Sequence, residues 1–209
     1  IYARTVCLNP RYGVSFIGRE AFDGRLEEAA RAAALDVMDY NQKACISSLV
    51  HYVEGTEEQA NDYAAALSDV LAQWGKAMPN FVPPADTGRV RRMRRGRYSG
   101  GNWLVNETET GFSSGVVVIP GGFDILEHPM CRLVVVRPVE SLEQALKYLS
   151  PAVSLAGVFP EERRAALKDR IASRGVSSIV PLGRAGRFFS GMPQDGMRIL
   201  NALVEWKMA

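Results

Sequence analysis

A short segment around Cys45 has the residue types and the setting that nucleophilic chemistry requires. An alanine-rich helical pattern ends near Asn41 and a strand-like apolar pattern opens at Ser48, so Cys45 is predicted to lie in a turn between two rigid elements. Such a turn can hold a thiolate still and accessible, and nearby backbone N–H groups or cations raise the share of thiolate. Alternatively, Cys45 is a small buried hydrophobic residue at a helix end. The turn taken alone favours this alternative, because cysteine is among the most buried residue types.

Three other residues could contribute chemistry but are better explained by structure. His51 lies six positions after Cys45 on the predicted strand and could act as a general base, although a strand histidine with one polar face is more often structural. Cys7 and Cys131 are predicted to be core thiols, because neither has a histidine or a second cysteine at ligand spacing. The sequence therefore predicts no metal site.

Six arginines crowd into the nine positions from Arg89 to Arg97 and form the strongest charge cluster of the chain. A guanidinium group grips phosphate in bidentate fashion, so the cluster could contact the phosphates of RNA or of a phosphorylated cofactor or carrier. The alternative is a solvated helix face whose acidic partners lie elsewhere in the fold. The sequence leaves both interpretations open.

The composition is that of a folded globular protein. The 209 residues are 47% hydrophobic, which is enough for one large domain or two small ones. The net charge is only +2, so overall charge gives no reason to expect nucleic acid or a membrane surface as partner. Three cysteines, an odd number without paired metal spacing, indicate free thiols in a reducing compartment, and we expect a cytoplasmic protein.

The sequence shows no targeting pattern. No apolar run approaches the length of a membrane span, and the first four residues lack the basic-then-apolar order of a signal peptide. The first residue is not Met, from which we expect that an upstream part has been removed.

Hydrophobic periodicity predicts alternating strands and helices. The predicted helices span 26–40, 56–74, 141–149, 161–174 and 196–207, and the predicted strands span 14–17, 49–53, 102–105, 115–119, 133–136, 153–159 and 176–181. The proline-rich stretch 78–87 is predicted to be a loop or an extended link. The alternation of strand and helix in the last third implies parallel pairing with right-handed crossovers, so we expect an α/β fold with a mostly parallel sheet flanked by helices.

Four segments taken together resemble a known family. They are Tyr12 to Phe16, Asn41 to Ser47, Leu133 to Leu142, and Pro181 to Lys207, and they span nearly all of the chain. In these segments the chain is similar to the catalytic, C-terminal part of the acyl-CoA reductase family. These are the long-chain fatty acyl reductases of bacterial bioluminescence, within the aldehyde dehydrogenase superfamily. The resemblance implies that residues 1–209 form one aldehyde dehydrogenase-like catalytic domain, and that the Gly-rich nucleotide-binding domain of the family is absent from this chain.

The resemblance also implies a reaction. Cys45 would attack the carbonyl carbon of an acyl group carried on coenzyme A or another acyl carrier. NADPH or NADH, bound mainly by a domain not in this chain, would then reduce the cysteinyl thioester to an aldehyde. In this superfamily the developing oxyanion is met by the backbone N–H of the cysteine and by an asparagine of the cofactor domain. Asn41, Gln42 and His51 are the candidates to support Cys45.

Partners follow from the same resemblance. They are an upstream nucleotide-binding domain, further copies of the chain in a homo-oligomer, and an acyl-transferring partner enzyme. Without the upstream domain we expect the catalytic part not to turn over.

Two departures from the superfamily pattern bear on the reaction. The glutamate that activates water in acid-forming aldehyde dehydrogenases aligns near Pro10 and Arg11, where no acid is present. A reductase that releases an aldehyde needs no such water, so this departure favours reduction over oxidation. The Glu-x-Phe element that touches the cofactor ribose aligns near His128, Pro129 and Met130, which leaves His128 as the cofactor-side candidate.

A second function from another class remains open. The same fold could be a non-catalytic interaction or oligomerisation domain that docks a partner enzyme or a carrier through the arginine cluster. In that case the Cys45 thiol would have ordinary reactivity, whereas an activated thiolate reacts with alkylating agents much faster than a structural thiol.

Overall fold

A seven-stranded sheet forms the centre of the computed structural model, which describes residues 5–109 and 111–204. The strands are β1 Tyr12–Ile17, β2 Ser48–Glu54, β3 Asn102–Thr108, β4 Gly111–Val118, β5 Leu133–Val139, β6 Val153–Phe159 and β7 Ser178–Pro181. Their order across the sheet is β3-β4-β5-β2-β1-β6-β7. Every neighbouring pair is parallel except the β3–β4 hairpin, as the predicted strand and helix alternation requires.

Helices lie on both faces of this sheet. They are α1 Leu26–Met38, α2 Glu57–Ala77, α3 Pro84–Arg95, α4 Leu142–Ala145, α5 Glu161–Ala172 and α6 Ile199–Leu203. Short 3-10 turns occur at Arg19–Phe22, Asp39–Gln42, Ile125–Glu127 and Leu146–Tyr148. The predicted α/β class with a mostly parallel sheet is therefore confirmed.

The sheet separates two hydrophobic cores. Buried side chains of α1 and α2 pack on one face, and those of α3, α4 and α5 pack on the other. Strand β5 serves both cores, because Leu133 and Val135 face one while Val134 and Val136 face the other. A parallel strand covered on both faces is expected to be a continuous apolar run, which is how residues 133–136 were identified.

The start of α2 is fixed by a capping box. The Thr56 hydroxyl accepts the N–H of Gln59 at 3.1 Å, and the Gln59 side chain accepts the N–H of Thr56 at 3.0 Å. Two of the donors that a helix start leaves unpaired are satisfied in this way. Helix α2 then packs along α1 and covers β4 on one face of the sheet.

Three local predictions are wrong. The stretch 78–87 is not wholly a loop, because α3 begins at Pro84, and a proline in the first helical turn loses no intrahelical hydrogen bond. The last helix is shorter than predicted in the described part of the chain, since it spans only Ile199–Leu203, and positions 205–207 lie outside the described residues. Cys7 is exposed and is not a core thiol, whereas Cys131 is buried as predicted.

The described helices include none that is both long enough and apolar enough to cross a membrane. The first four residues, on which the prediction about a signal peptide depends, lie outside the described part of the chain.

Candidate active site around Cys45

Cys45 lies at the end of the sheet at which the central parallel strands have their amino termini. It belongs to the turn that leads directly into β2, and its own side chain is partly exposed. Two strands on one side of β2 hold the turn: the N–H of Gly13 in β1 donates to the Ser47 carbonyl at 2.8 Å, and the Ser154 hydroxyl in β6 donates to the Cys45 carbonyl. The turn is therefore attached to two strands of the central sheet.

Three successive left-handed residues turn the chain from α1 toward β2. Tyr40, Asn41 and Gln42 have φ angles of 55°, 52° and 59°. Asparagine tolerates this region, whereas each of the other two costs about 1–2 kcal/mol in it. Such conformations persist only where the surrounding structure enforces them, and they cluster at functional sites. Asn41 therefore supports the turn through its backbone, and no side-chain hydrogen bond of Asn41 occurs among the residues described.

Gln42 and Ser47 fix the two ends of the turn. The buried Gln42 side chain donates from Nε2 to the Ser48 carbonyl at 2.8 Å. The Ser47 hydroxyl accepts the N–H of Ala44 at 3.3 Å, and the N–H of Ser47 donates to the Ala44 carbonyl at 3.0 Å. Because these bonds close a loop around Cys45, the position of its Sγ is set by backbone geometry.

Gly13 lets the turn approach the sheet. A Cβ atom added at Gly13 would lie 2.9 Å from the carbonyl carbon of Ile46, closer still to its oxygen, and 3.0 Å from the carbonyl carbon of Ser47. Real Cβ atoms do not approach backbone atoms this closely. A glycine is needed at this position because a neighbouring segment of backbone approaches closely, which is a recurrent use of glycine within a strand.

A cavity of about 250 Å³ opens beside Cys45. The Gln194 amide Nε2 lies 3.8 Å from the Cys45 Sγ. The remaining walls mix aromatic, apolar and hydroxyl side chains with one carboxylate, and they include Tyr40, Ser154, Ser178, Phe188, Phe189, Met192 and Asp195. Sequence reasoning missed these lining residues; the adjacent pair of phenylalanines in a Gly-rich loop was the signal that could have identified them.

The backbone N–H of Cys45 is unpaired in the part of the chain that the structure describes. Neither Cys45 nor Ile46 donates its N–H to an acceptor within residues 5–109 and 111–204, although the flanking Ala44 and Ser47 both do. An unpaired N–H beside a nucleophile can stabilise negative charge that develops on the oxygen of an attacked carbonyl group.

The two histidines lie apart from the Cys45 thiol. His51 is fully buried, and its Nδ1 lies 2.8 Å from the Tyr63 hydroxyl. Burial, with a smaller contribution from His128, lowers the pKa of His51 to about 3, so its imidazole is neutral at pH 7. Within the described part of the chain no hydrogen bond joins His51 to Cys45.

His128 is buried beneath the arginine-rich helix α3. Its Nδ1 accepts the N–H of Met130 at 2.9 Å, and burial lowers its pKa to about 4 against the opposing effect of the Leu49 and Leu133 backbone. The residues Met130, Cys131 and Arg132 that follow are again left-handed, with φ angles of 60°, 57° and 64°. A second strained turn therefore precedes β5, the parallel neighbour of β2, and lies at the same amino-terminal end of the strands.

A buried carboxylate holds the segment that forms the far wall of the cavity. Asp36 in α1 accepts the N–H groups of Gly183 and Ala185 at 2.8 and 2.9 Å. Burial raises the pKa of Asp36 to about 6, and these two hydrogen bonds partly offset that effect. The chain that continues to Phe188 and Gln194 is thereby anchored to the helix that precedes the Cys45 turn.

The arginine cluster lies on the outer face of α3, next to the Cys45 turn. Val90 and Met93 face the core while the neighbouring arginines are exposed. The Lys43 Nζ lies 4.0 Å from an oxygen of Asp86 at the start of α3, and this contact joins the helix to the Cys45 turn.

Burial, with a contribution from Asp86, raises the pKa of Cys131 to about 12, so this thiol stays protonated.

The residues predicted to support Cys45 have different surroundings in the fold. Gln42 bonds within the Cys45 turn, whereas His51 and His128 are bonded to Tyr63 and Met130. Arg11, which the sequence predicts to align near the glutamate of acid-forming aldehyde dehydrogenases, donates to the Ser177 hydroxyl at 2.9 Å. Groups of three or more His, Cys, Asp or Glu side chains able to hold a metal ion do not occur among the residues described.

Comparison with known proteins identifies the family of sequences that this chain resembles. A family model described as acyl-CoA reductase (LuxC) matches residues 2–206. The chain is 26% identical to the long-chain acyl-protein thioester reductase of Vibrio harveyi over 192 residues, and 28% identical to that of Photorhabdus luminescens over the same length. Each alignment covers 87% of this chain and 37% of the relative, so the chain spans just over a third of the length of the curated relatives it matches.

Solved structures confirm the fold. The NAD+ complex of an aldehyde dehydrogenase from Bacillus cereus matches with a TM-score of 0.64 and 15% identity, covering 88% of this chain and 40% of that one. An indole-3-acetaldehyde dehydrogenase from P. syringae matches with a TM-score of 0.62 and 14% identity, covering 85% and 39%. At these identities the comparison shows that the chain has an aldehyde dehydrogenase-like fold.

Proposed function

Because the chain belongs to the acyl-CoA reductase (LuxC) family, we propose that it is the catalytic domain of a nicotinamide-dependent acyl thioester reductase with Cys45 as nucleophile. The observation that carries this proposal is the Cys45 turn, in which a residue with a partly exposed thiol and an unpaired N–H lines a cavity. The names of the relatives state that they act on acyl-protein thioesters, so we propose an acyl group delivered on a protein carrier or on coenzyme A.

The first step transfers the acyl group to Cys45. The thiolate attacks the carbonyl carbon, the carbonyl oxygen gains negative charge, and the carrier leaves as its thiolate, which takes a proton from water. A cysteinyl thioester thus replaces the thioester of the carrier. The Cys45 N–H supports this step because it can donate to the developing oxyanion, and the hydrogen bonds of Gln42 and Ser47 keep that donor in place. The apolar wall formed by Phe188, Phe189 and Met192 suits the acyl chain.

The second step releases the aldehyde. When bound, a nicotinamide cofactor supplies the hydride that reduces the acyl carbon of the thioester. The residues of this chain then hold the resulting oxyanion at the Cys45 N–H until the carbon–sulfur bond breaks and the thiolate of Cys45 is restored. Most of the cofactor would be bound by an upstream domain, and the relatives are long enough to contain such a domain. His128 is the residue of this chain that we propose lies on the cofactor side.

The other residues named from the sequence have supporting roles in this proposal. Gln42 is a positioning residue, Asn41 contributes its left-handed backbone, and His51 is a packing residue because it is buried against Tyr63. The three free thiols fit a reducing compartment, and we propose a cytoplasmic enzyme that works as a homo-oligomer and receives acyl groups from an acyl-transferring partner.

Intact-mass spectrometry of the full-length protein mixed with acyl-CoA thioesters of several lengths tests the nucleophile. We expect one acyl adduct in the wild type and in Cys7→Ala, and none in Cys45→Ala. Cys7→Ala is the matched control because Cys7 is the other accessible thiol among the described residues. An adduct that survives in Cys45→Ala would refute the assignment. Absence of any adduct, together with Cys45 alkylation no faster than that of Cys7, would favour the interaction-domain alternative.

A further inference from the structure

A second cavity, of about 420 Å³, lies between α3 and the 3-10 turn Ile125–Glu127. Its lining includes three arginines, Arg89, Arg92 and Arg97, together with Tyr98 and His128. Helical spacing explains the first two, since residues three apart lie on one face of a helix. Arg97 comes from the turn after α3 and lies 5.8 Å from the centroid of the Tyr98 ring.

The three guanidinium groups are not neutralised by the fold. No ion pair to a carboxylate is found for Arg89, Arg92 or Arg97 within the described residues, although ion pairs occur elsewhere on the surface at 2.7 to 4.0 Å. Glu127 is the one carboxylate in the lining, and His128 is neutral at pH 7 because burial lowers its pKa to about 4. The cavity therefore holds an excess of about two positive charges.

We propose that this cavity binds the phosphate monoester of an organic ligand. A phosphate monoester carries about −1.5 to −2 charges at pH 7, which matches the excess, whereas a single carboxylate would neutralise only half of it. The planar guanidinium groups suit the oxygens of a phosphate, which they can grip in bidentate fashion. The volume exceeds what a phosphate ion alone needs, and the walls of Tyr98, Met93 and Leu126 can contact the organic part of the ligand.

The helix that lines this cavity also contacts the segment that leads to Cys45. Asp86, one helical turn before Arg89, has a carboxylate oxygen 4.0 Å from the Lys43 Nζ. The source of the phosphate, a nicotinamide cofactor or an acyl carrier, rests on the proposed function, whereas the binding of phosphate does not.

Calorimetric titration of the full-length protein with two ligand pairs tests the site. NADPH and NADH differ by one phosphate monoester, and so do coenzyme A and dephospho-coenzyme A. For at least one pair we expect the phosphorylated member to bind about 10- to 100-fold more tightly, the effect of a charge-assisted contact. The pair that shows the preference identifies the source, and a preference in both pairs would mean that the cavity accepts either ligand.

Matched variants of α3 distinguish a specific phosphate site from a general effect of the positive charge of the helix. Arg92→Gln and Arg89→Gln should reduce the preference to less than about 2-fold. Arg94→Gln, which makes the same charge change on the same helix but lines a different surface hollow with Arg91, Arg95 and Glu107, should retain it. The proposal is overturned if neither pair shows a preference, if Arg92→Gln retains it, or if Arg94→Gln removes it equally. Because the readout is binding, it is independent of whether Cys45 is acylated.

Discussion

Replacing Gly13 with alanine tests how the Cys45 turn is positioned. The new methyl group would meet the backbone of Ile46 and Ser47 at 2.9 and 3.0 Å, where ordinary contacts begin near 3.4 Å. Strand β1 cannot move away, because it pairs with β2 on one side and β6 on the other. The turn must therefore retreat by about 0.5–1 Å, in line with the usual response to an overpacked site.

Two effects of different size are expected. Overpacking of a well-ordered region costs about 1–3 kcal/mol in the free energy of unfolding. A displacement of about 1 Å at a reacting centre can lower a rate by about 10²-fold, so we expect acylation of Cys45 to fall by about 10- to 100-fold in Gly13→Ala. Urea unfolding measures the first effect, and the time course of the acyl adduct in mass spectra measures the second.

Gly115→Ala is the matched control. Gly115 lies in β4 of the same sheet, and an added methyl would meet chiefly the side chains of Leu133 and Phe112 at 3.0 and 3.2 Å, which can adjust. We expect Gly115→Ala to lower stability by a similar or smaller amount and to leave the acylation rate within about 2-fold of wild type. If Gly13→Ala is destabilised but acylates at the wild-type rate, the close approach at Gly13 does not position the nucleophile and the reasoning is refuted.

Two predictions concern buried carboxylates. Between about pH 4 and pH 6 the folded protein holds a proton on Asp36 that the unfolded chain has released, so ionisation of Asp36 should lower the free energy of unfolding by about 2–3 kcal/mol as pH rises. The difference between the urea-unfolding curves of wild type and Asp36→Asn should therefore change across this window, and a constant difference would contradict the prediction. Glu54 is buried and bonded to Arg19 at 3.0 Å and Arg163 at 2.8 Å. Burial raises the pKa of Glu54, but the hydrogen bonds from Arg19 and the charge of Arg163 outweigh burial, so the pKa lies below its ordinary value. The Glu54 carboxylate therefore stabilises the fold at neutral pH, and this stabilisation is lost as the pH falls through the lowered pKa. Glu54→Gln should cost about 1.5–3 kcal/mol at pH 7, whereas Glu28→Gln, which breaks an exposed pair with Arg25, should cost less than about 1 kcal/mol. Equal losses in the two variants would show that burial of Glu54 adds nothing.

The candidate site differs from the usual placement in open α/β sheets, where ligands bind beyond the carboxyl ends of the strands. Here Cys45 precedes β2, and the left-handed turns 40–42 and 130–132 both lie before parallel strands. The carboxyl ends instead carry the ion-pair network of Glu54, Arg19 and Arg163, which is a structural role. The ion-pair network and the candidate site thus lie at opposite ends of the parallel strands.

Local patterns in the sequence were sufficient for much of the fold. The apolar run at 133–136, the strand at 153–159 and the helix start at Thr56 were predicted because hydrophobic period and capping residues act over a few positions. The setting of Cys45 between a helix and a strand was local in the same sense. The start of α3 was missed, because a proline indicates the end of a helix unless its position in the first helical turn is known.

Only the tertiary structure decided the contacts between residues that lie far apart in the chain. Gln194 reaches Cys45 across 149 positions, Asp36 holds Ala185 across a similar separation, and Gly13 is required by the backbone of Ile46. No periodicity records such pairs, because they arise when strands from distant segments are placed side by side in the sheet. The sequence by itself therefore predicted the elements that carry Cys45, and the order of the strands decided which side chains surround it.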